Sequence, residues 1–420
     1  MNVDKKPFFV ARLNCRICDG FVEPVFSLGV LASSGHFPVS KTEIVPSGPL
    51  DLGKCISCGL TQLCHDFDKN VLYTDLYGYR SGINETMVSH LSELARKVVS
   101  LSQKNEETSL TVVEIGSNDA TLLKEICRFQ GENFVGTGVD PSAAKFSMDY
   151  ADLGCELHTS LFDLNFAQTE ISKGSVDVVT SIAMFYDLDD PVDFARGIAT
   201  ILKPEGFWVL EQSYLPAMLE QNAFDTICHE HLEYYTLTDI VNICNRSGLK
   251  VFDFETNSSN GGSFRVFVAH ESSKNHKIES RVLLALESEK QHLFDHELLN
   301  EFFSRITTIK DACLSQLEQY KRSGQLVHGY GASTKGNTLL QYFGISENLI
   351  PAIAERNPLK FGRFSSGMLL PIISEEESRS MVPEYFFVLP WHFKDSIIKR
   401  ERLISTNAKF LFPLPMFEVC

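Results

Sequence analysis

Cys15-Arg-Ile-Cys18 and Cys55-Ile-Ser-Cys58-Gly59 form two matched C-x-x-C pairs separated by 36 residues. No other feature limits the fold as much. Each turn presents two thiolates, and zinc takes four in a closed tetrahedral structural site. Gly59 supports the reading, since a tight knuckle calls for a residue that tolerates positive φ. A thioredoxin-like redox pair and plain buried packing are the alternatives. The matched pairing favours zinc held by Cys15, Cys18, Cys55 and Cys58. Cys64 and His65 lie close by, but four thiolates already fill such a site. With 11 cysteines, an odd number, a chain of this length points to reduced thiols rather than a disulfide framework.

At about 150 residues per domain, 420 residues predict two to three domains. Residues up to about 75 are short strands and turns rich in Gly, Pro and Ser, with too few periodic apolar positions for a core of their own, so the metal supplies stability there. Met87, Leu91, Leu94, Val98 and Leu101 recur at helical spacing after Asn84, a good N-cap. From Thr111 onward, apolar runs at 112–115, 134–139, 176–180 and 207–210 alternate with helical stretches, the pattern of a parallel α/β sheet. A charged helical stretch from about Lys277 to Arg322 reads as a connector. A second strand-loop-helix pattern begins at Leu326-Val-His-Gly-Tyr-Gly331. The expected division is 1–75 zinc-binding, 76–270 cofactor-binding and 271–420 connector plus second α/β domain.

The formal net charge of -16 repels phosphate backbones and anionic lipid, and no lysine-arginine block offsets it, so neither nucleic acid nor membrane is an expected partner. Apolar runs such as Tyr385-Phe-Phe-Val-Leu389 are far shorter than the roughly 20 residues of a membrane span, and the first residues lack an apolar signal core. A cytoplasmic location is expected; the oligomeric state is left open.

Val112-Val-Glu114-Ile-Gly116-Ser-Asn118-Asp119-Ala-Thr reads as strand, glycine turn and helix start, where an open α/β sheet receives the polar end of a cofactor. A nicotinamide dinucleotide wants G-x-G-x-x-G, so that its pyrophosphate meets bare backbone. Here Ser, Asn, Asp and Ala follow Gly116, and an acidic side chain would repel phosphate. S-adenosylmethionine carries a sulfonium and an ammonium and no phosphate, so carboxylates at Glu114 and Asp119 suit it. Asp140, in Gly138-Val-Asp140-Pro141, follows Gly116 by 24 residues, the usual offset for a carboxylate on ribose hydroxyls. Asn118 and Pro141 complete the cofactor candidates. The competing reading is an ordinary capped turn.

Glu211-Gln-Ser-Tyr214 and Phe224-Asp225-Thr-Ile-Cys-His229-Glu230-His231-Leu-Glu233-Tyr234-Tyr235 are the densest polar stretches. His-x-His lacks the i, i+4 spacing of a helical zinc motif, so a catalytic metal is not expected. A histidine here can exchange a proton near neutrality, oriented by a neighbouring carboxylate; a polar loop satisfied by its own hydrogen bonds is the equal alternative. Gly329-Tyr-Gly331-Ala-Ser-Thr-Lys335-Gly336-Asn337 follows a strand and offers bare N–H groups and a cation. It suits a diphosphate, or is simply a tight turn with an exposed lysine. Asn260-Gly-Gly262-Ser263 reads as a hairpin turn, with close approach to a substrate as the alternative.

Together these residues resemble the sugar C-methyltransferases, which methylate C3 of nucleotide-linked 4-keto-6-deoxyhexoses. The resemblance rests on the four-cysteine module, Tyr77-Gly-Tyr79-Arg-Ser81, Glu114-Ile-Gly-Ser-Asn-Asp119, Phe224-Asp-Thr with His229-Glu230-His231, Asn260-Gly-Gly-Ser263, and 329–337. It implies a small N-terminal zinc-binding domain, a central class I, Rossmann-like methyltransferase domain and a second Rossmann-like C-terminal domain. It also implies a base at His231 with Glu230 and Tyr79 nearby. His229, Ser263, Lys335 and Asn337 are the candidate contacts to a nucleotide-linked sugar. Ala120 stands where a glycine is usual, Cys228 where some members have an active-site tyrosine, and Met184-Phe-Tyr-Asp187 where some place a second histidine. The reaction expected is removal of the C3 proton and attack of the enolate carbon on the donor methyl. O- or N-methylation of a related metabolite, or an inactive zinc-ribbon binding module, are the alternatives.

Overall fold

Each C-x-x-C pair folds into the same knuckle. The first cysteine's carbonyl accepts from the residue after the second cysteine (Asp19 N–H to Cys15, 2.9 Å; Gly59 N–H to Cys55, 3.0 Å). Ile17 N–H and Ser57 N–H then point at the Cys15 and Cys55 sulfurs, both at 3.4 Å. The positive φ expected at Gly59 is present (85°), and Asp19 adopts the matching φ of 62° in the first knuckle. All four Sγ atoms lie within 4.8 Å of one another, close enough to share one tetrahedral ion. This computed structural model describes residues 7–72, 80–104, 107–290, 297–404 and 407–420.

The knuckles stand on an antiparallel sheet of Val22–Ala32, Ser47–Cys55 and Thr61–Leu63, and its fourth strand, Glu233–Tyr234, comes from the middle of the chain. Glu233 pairs with Gln62 and Tyr234 with Thr61, and Leu63 N–H donates to Leu232 O at 2.8 Å. Arg16, beside a zinc ligand, faces Glu233 at 3.3 Å and Asp66 at 2.7 Å. The Arg16 and Glu233 side chains are fully buried, so each needs the other's charge.

The central sheet has seven strands in the order Glu156–His158, Phe134–Val139, Leu110–Ile115, Val176–Ile182, Leu202–Ser213, Ser263–His270, Leu249–Asn257. All are parallel except Ser263–His270, which runs against both neighbours. The chain leaves Leu110–Ile115 toward one edge and returns to its other side at Val176–Ile182, which opens a crevice at the carboxyl ends of those strands. Helix Glu85–Ser102 begins as its sequence predicts, with the Asn84 side chain accepting from Thr86 N–H, and it buries Leu91, Leu94, Ala95 and Val98.

The second α/β unit has six strands in the order Ile372–Ser374, Ile353–Glu355, Val327–Tyr330, Tyr385–Val388, Lys409–Phe412, Glu418–Val419, parallel but for the last. The stretch read as a connector does more than connect. Helix Glu297–Arg322 buries Leu299, Phe302, Ile306, Ile309, Cys313, Leu317 and Tyr320 at helical spacing, which makes it a packing element of this unit. Glu289, within helix Ser280–Lys290, accepts from the Leu237 and Thr238 amides at 2.8 Å, capping helix Leu237–Asn245.

The zinc-binding segment shares its interior with both neighbours. Leu28, Leu31, Phe37, Leu50, Leu52, Leu63 and Phe67 lie in one continuous core with Phe224, Ile227, Leu232 and the C-terminal sheet. On its other side Cys15, Ile17, Val22, Cys55 and Leu60 pack with the central sheet. Among the described residues no helix is long and apolar enough to cross a membrane.

A structural zinc contributes on the order of 10 kcal/mol to folding, so its loss should unfold the segment rather than loosen it. Metal analysis should find one zinc per chain, and none in Cys58→Ser. Amide exchange after chelation should rise together at Gln62–Leu63 and Glu233–Tyr234. Unchanged protection at 233–234 would show that the shared strand stands without metal.

Candidate functional site

A cleft opens at the carboxyl ends of the central strands, where an open α/β sheet receives its ligand. Its wall crosses the sheet in order: Asp140 and Pro141, then Glu114 to Asn118, then Ile182 to Met184, then Glu211 and Gln212, then Ser263 with Ser259 and Asn260. Gly116 has φ 73°, and a Cβ there would meet Met184 Cγ at 2.7 Å. The glycine therefore keeps the floor open.

Of the predicted cofactor residues, Glu114, Gly116, Asn118, Asp140 and Pro141 line this cleft. Asp140 ties two loops together: Oδ2 accepts from Asn118 N–H at 2.8 Å, and Oδ1 from Ser142 N–H and Oγ–H at 2.7 Å. Asp119 does not face the cleft. Its carboxylate accepts from Arg80 Nε and Gly82 N–H at 3.0 Å and from Thr121 Oγ1 at 2.6 Å. It is paired with Arg80 and pins 80–82 to the loop, one step removed from the cleft wall. Ala120 has φ 57°, a left-handed conformation that costs an alanine about 1–2 kcal/mol and that glycine adopts freely.

Glu114 tests the fit of S-adenosylmethionine. Its Oε2 is buried with no hydrogen-bond partner, and burial pushes its pKa well above the usual carboxylate range, with Asp119 and Asp140 adding to the shift. A cation docked against that oxygen would oppose the upward shift and give the oxygen a partner. The α-ammonium of S-adenosylmethionine is such a cation, whereas a pyrophosphate would face Glu114 and Asp140 as like charges.

The His229–His231 turn sits where the three segments meet. His231 Nδ1–H donates to Thr226 O at 2.8 Å, and the Tyr186 ring lies 4.1 Å from its own. This bond fixes the tautomer and leaves the Nε2 lone pair free. Burial, and then the Lys335 ammonium, push the His231 pKa down to about 3. Glu230 does not hold that ring: its Oε2 accepts from Ser34 Oγ at 3.5 Å, its Oε1 is buried without a partner, and burial raises its pKa. His229 is turned away into the zinc-binding segment, with Nε2 3.2 Å from Gly48 O and its ring edge-on to Phe67 at 4.8 Å. Its Nδ1 is buried without a partner. Tyr79 lies outside the described residues.

Lys335 reaches across from the C-terminal unit. Its Nζ donates to Asn260 O at 2.8 Å, and burial lowers its pKa while Asp225 opposes the shift. Asp225 is completely buried, accepts from Trp391 Nε1 at 2.9 Å, and keeps Oδ1 without a partner. The lysine is therefore a half-buried cation beside the histidine turn rather than an exposed side chain. Asn337 is tied up structurally, its amide donating to Ser34 O at 2.8 Å and accepting from Ser366 N–H at 3.2 Å, so it joins segments instead of facing a ligand. Ser263 lines the cleft and donates to Ser259 O at 2.9 Å. The turn at 259–262 connects Leu249–Asn257 to Ser263–His270 as a hairpin, and Gly262 lies against Ala217, where a Cβ would approach to 2.6 Å.

Sequence reasoning missed several residues. Gln212 lines the cleft with both amide atoms unpaired. Glu211, predicted only as part of a polar stretch, is ion-paired to Arg265 at 2.7 Å and hydrogen-bonded to His90. His90 shows in the sequence only as a polar residue within a helical repeat, with nothing to mark its partner 121 residues on.

The chain matches the methyltransferase domain family over residues 87–253, the C-methyltransferase C-terminal domain family over 258–415, and a zinc binding domain family over 15–73. The C-methyltransferase NovU of Streptomyces niveus is 30% identical over 412 residues, covering 96% of this chain and 95% of that protein. Among solved structures, the CurJ carbon methyltransferase aligns at 10% identity with a TM-score of 0.37, over 46% of this chain and 57% of that one. The mitomycin 7-O-methyltransferase MmcR aligns at 17% identity with a TM-score of 0.35, over 45% of this chain and 55% of that one. This chain thus spans about half the length of each of these structures. The end-to-end relative and the three consecutive family matches agree: the chain belongs to the C-methyltransferase family, S-adenosylmethionine-dependent enzymes with an N-terminal zinc-binding domain.

Proposed function

We propose that this C-methyltransferase acts on C3 of a nucleotide-linked 4-keto-deoxysugar, with His231 as the base. The observation that carries the reading is the His231 tautomer, fixed by Thr226 O with the Nε2 lone pair free, beside a cleft whose wall includes Met184 and Asp187 on either side of Tyr186. A proton on a carbon next to a ketone is acidic enough to be taken by a neutral imidazole only if the enolate is stabilised as it forms.

Lys335 supplies part of that stabilisation. In the resting site its charge disfavours imidazolium and keeps the base unprotonated. Once an enolate forms, the same ammonium faces a negative charge, so its attraction is realised mainly in the transition state. Glu114 would receive the cofactor's ammonium and Asp140 its ribose hydroxyls, while S-adenosylmethionine, when bound, supplies the electrophilic methyl that the enolate carbon takes. Glu230, whose pKa burial raises, is held by Ser34 beside the histidine turn. Tyr79 is assigned a supporting role from the family resemblance.

His231→Ala should abolish solvent-deuterium exchange at C3, by at least about 10²-fold, with S-adenosylmethionine affinity unchanged in calorimetry. Exchange that survives the substitution would remove His231 from the role of base. Mass spectrometry with a labelled methyl donor and a panel of nucleotide-linked keto sugars tests the acceptor, and methyl recovered on oxygen or nitrogen would overturn carbon transfer.

The pH dependence follows from the sign of the shift. Because the folded-state pKa of His231 is depressed to about 3 from the usual value near 6.5, the base stays unprotonated as pH falls through 6.5. The kcat/KM profile should therefore show no acid limb near 6.5. Lys335→Met removes the nearby cation and should raise the His231 midpoint, read by NMR titration, while lowering kcat.

A further inference from the structure

We propose that Gln212 reads the ketone and the group on the adjacent carbon as a pair: Nε2–H donates to the ketone oxygen, and so to the enolate, while Oε1 accepts from the neighbouring hydroxyl. The proposal rests on the C3 reading and deepens it. Gln212 is 1% exposed, lines the cleft, and has no hydrogen-bond partner at either Oε1 or Nε2. A buried amide with neither atom satisfied costs the fold several kcal/mol. Such a side chain is explained when a ligand brings a donor and an acceptor side by side.

The position of Gln212 selects which ligand. The cleft runs along the strand ends from Asp140 to Ser263, and the two ends differ. Glu114, Gly116, Asn118 and Asp140, the residues that suit a cationic, phosphate-free cofactor, occupy one. Gln212, Ser263 and Asn260 occupy the other. Asn260 O holds Lys335, whose charge is felt at His231 and Asp225, so the Gln212 end is the one next to the base. The neighbouring Glu211 is committed to Arg265 at 2.7 Å and keeps the strand end in place. A ketone oxygen with a hydroxyl on the next carbon presents an acceptor and a donor at the separation a primary amide spans, and that arrangement is found at C4 and C3 of a 4-keto sugar.

Gln212→Met keeps the volume and removes both polar atoms. In the full-length zinc-loaded enzyme it should lower kcat by about 10²–10³-fold and slow C3–H exchange in deuterated water without S-adenosylmethionine. Cofactor affinity should stay unchanged. The thermal midpoint should hold or rise, since no internal hydrogen bond is lost; a structural amide would make it fall. Wild-type enzyme should prefer a nucleotide-linked 4-keto-6-deoxyhexose with a free 3-hydroxyl over its 3-deoxy counterpart by about tenfold or more, and Gln212→Met should erase that preference. Undiminished exchange and turnover in the variant, or a lowered midpoint with the preference intact, would overturn the role of Gln212 and leave the C3 reading standing. No exchange in the wild-type enzyme, with methyl delivered to oxygen, would overturn the C3 reading itself.

Discussion

Two residues of backbone pairing, Glu233 and Tyr234 against Gln62 and Thr61, set where the histidine turn can be. The turn immediately precedes that short strand, so its reach and direction are fixed by a sheet whose other strands belong to the zinc knuckles. Arg16, two residues before the ligand Cys18, carries the charge that Glu233 faces in the interior. The knuckles, the ion pair and the shared strand form one continuous path to the histidine turn.

Electrostatics divide the cleft into two chemical environments. Glu114 is a carboxyl forced toward neutrality by burial and awaiting a cation. Toward Ser263, Lys335 keeps the histidine uncharged, and Gln212 offers neutral hydrogen bonds without adding charge. A cofactor that is positive thus meets a buried carboxyl, while the other end of the cleft carries a cation and a neutral amide. Asp119 and Glu211, two further carboxylates of these loops, are paired with Arg80 and Arg265 and hold the loops in place.

Much of this was legible in the sequence because it was local. The C-x-x-C spacing gave the knuckles, continuous apolar runs gave the central strands, 3.6-residue spacing gave helix Glu85–Ser102, and the glycine turn after Leu110–Ile115 marked the cleft. What escaped was whatever depended on a distant partner. Asp119 and Glu114 look equivalent as acidic residues five apart; only Arg80, folded back from upstream, separates them. His229 and His231 are two residues apart on one turn, so their side chains part to opposite surroundings, one against Phe67 and one toward Thr226 O. Lys335 resembled an exposed turn lysine because its acceptor, Asn260 O, lies 75 residues away.

The pooled interior has a consequence for dissection of the molecule. Leu28, Leu50, Phe224 and the C-terminal strands belong to one apolar cluster, and Thr61–Leu63 is covered on one side by Glu233–Tyr234. Cutting the chain between segments would expose a broad greasy face together with an unpaired strand edge, the two surface features that drive self-association. Truncated fragments should therefore be recovered as aggregates, and the enzyme is best handled as a single uncut polypeptide.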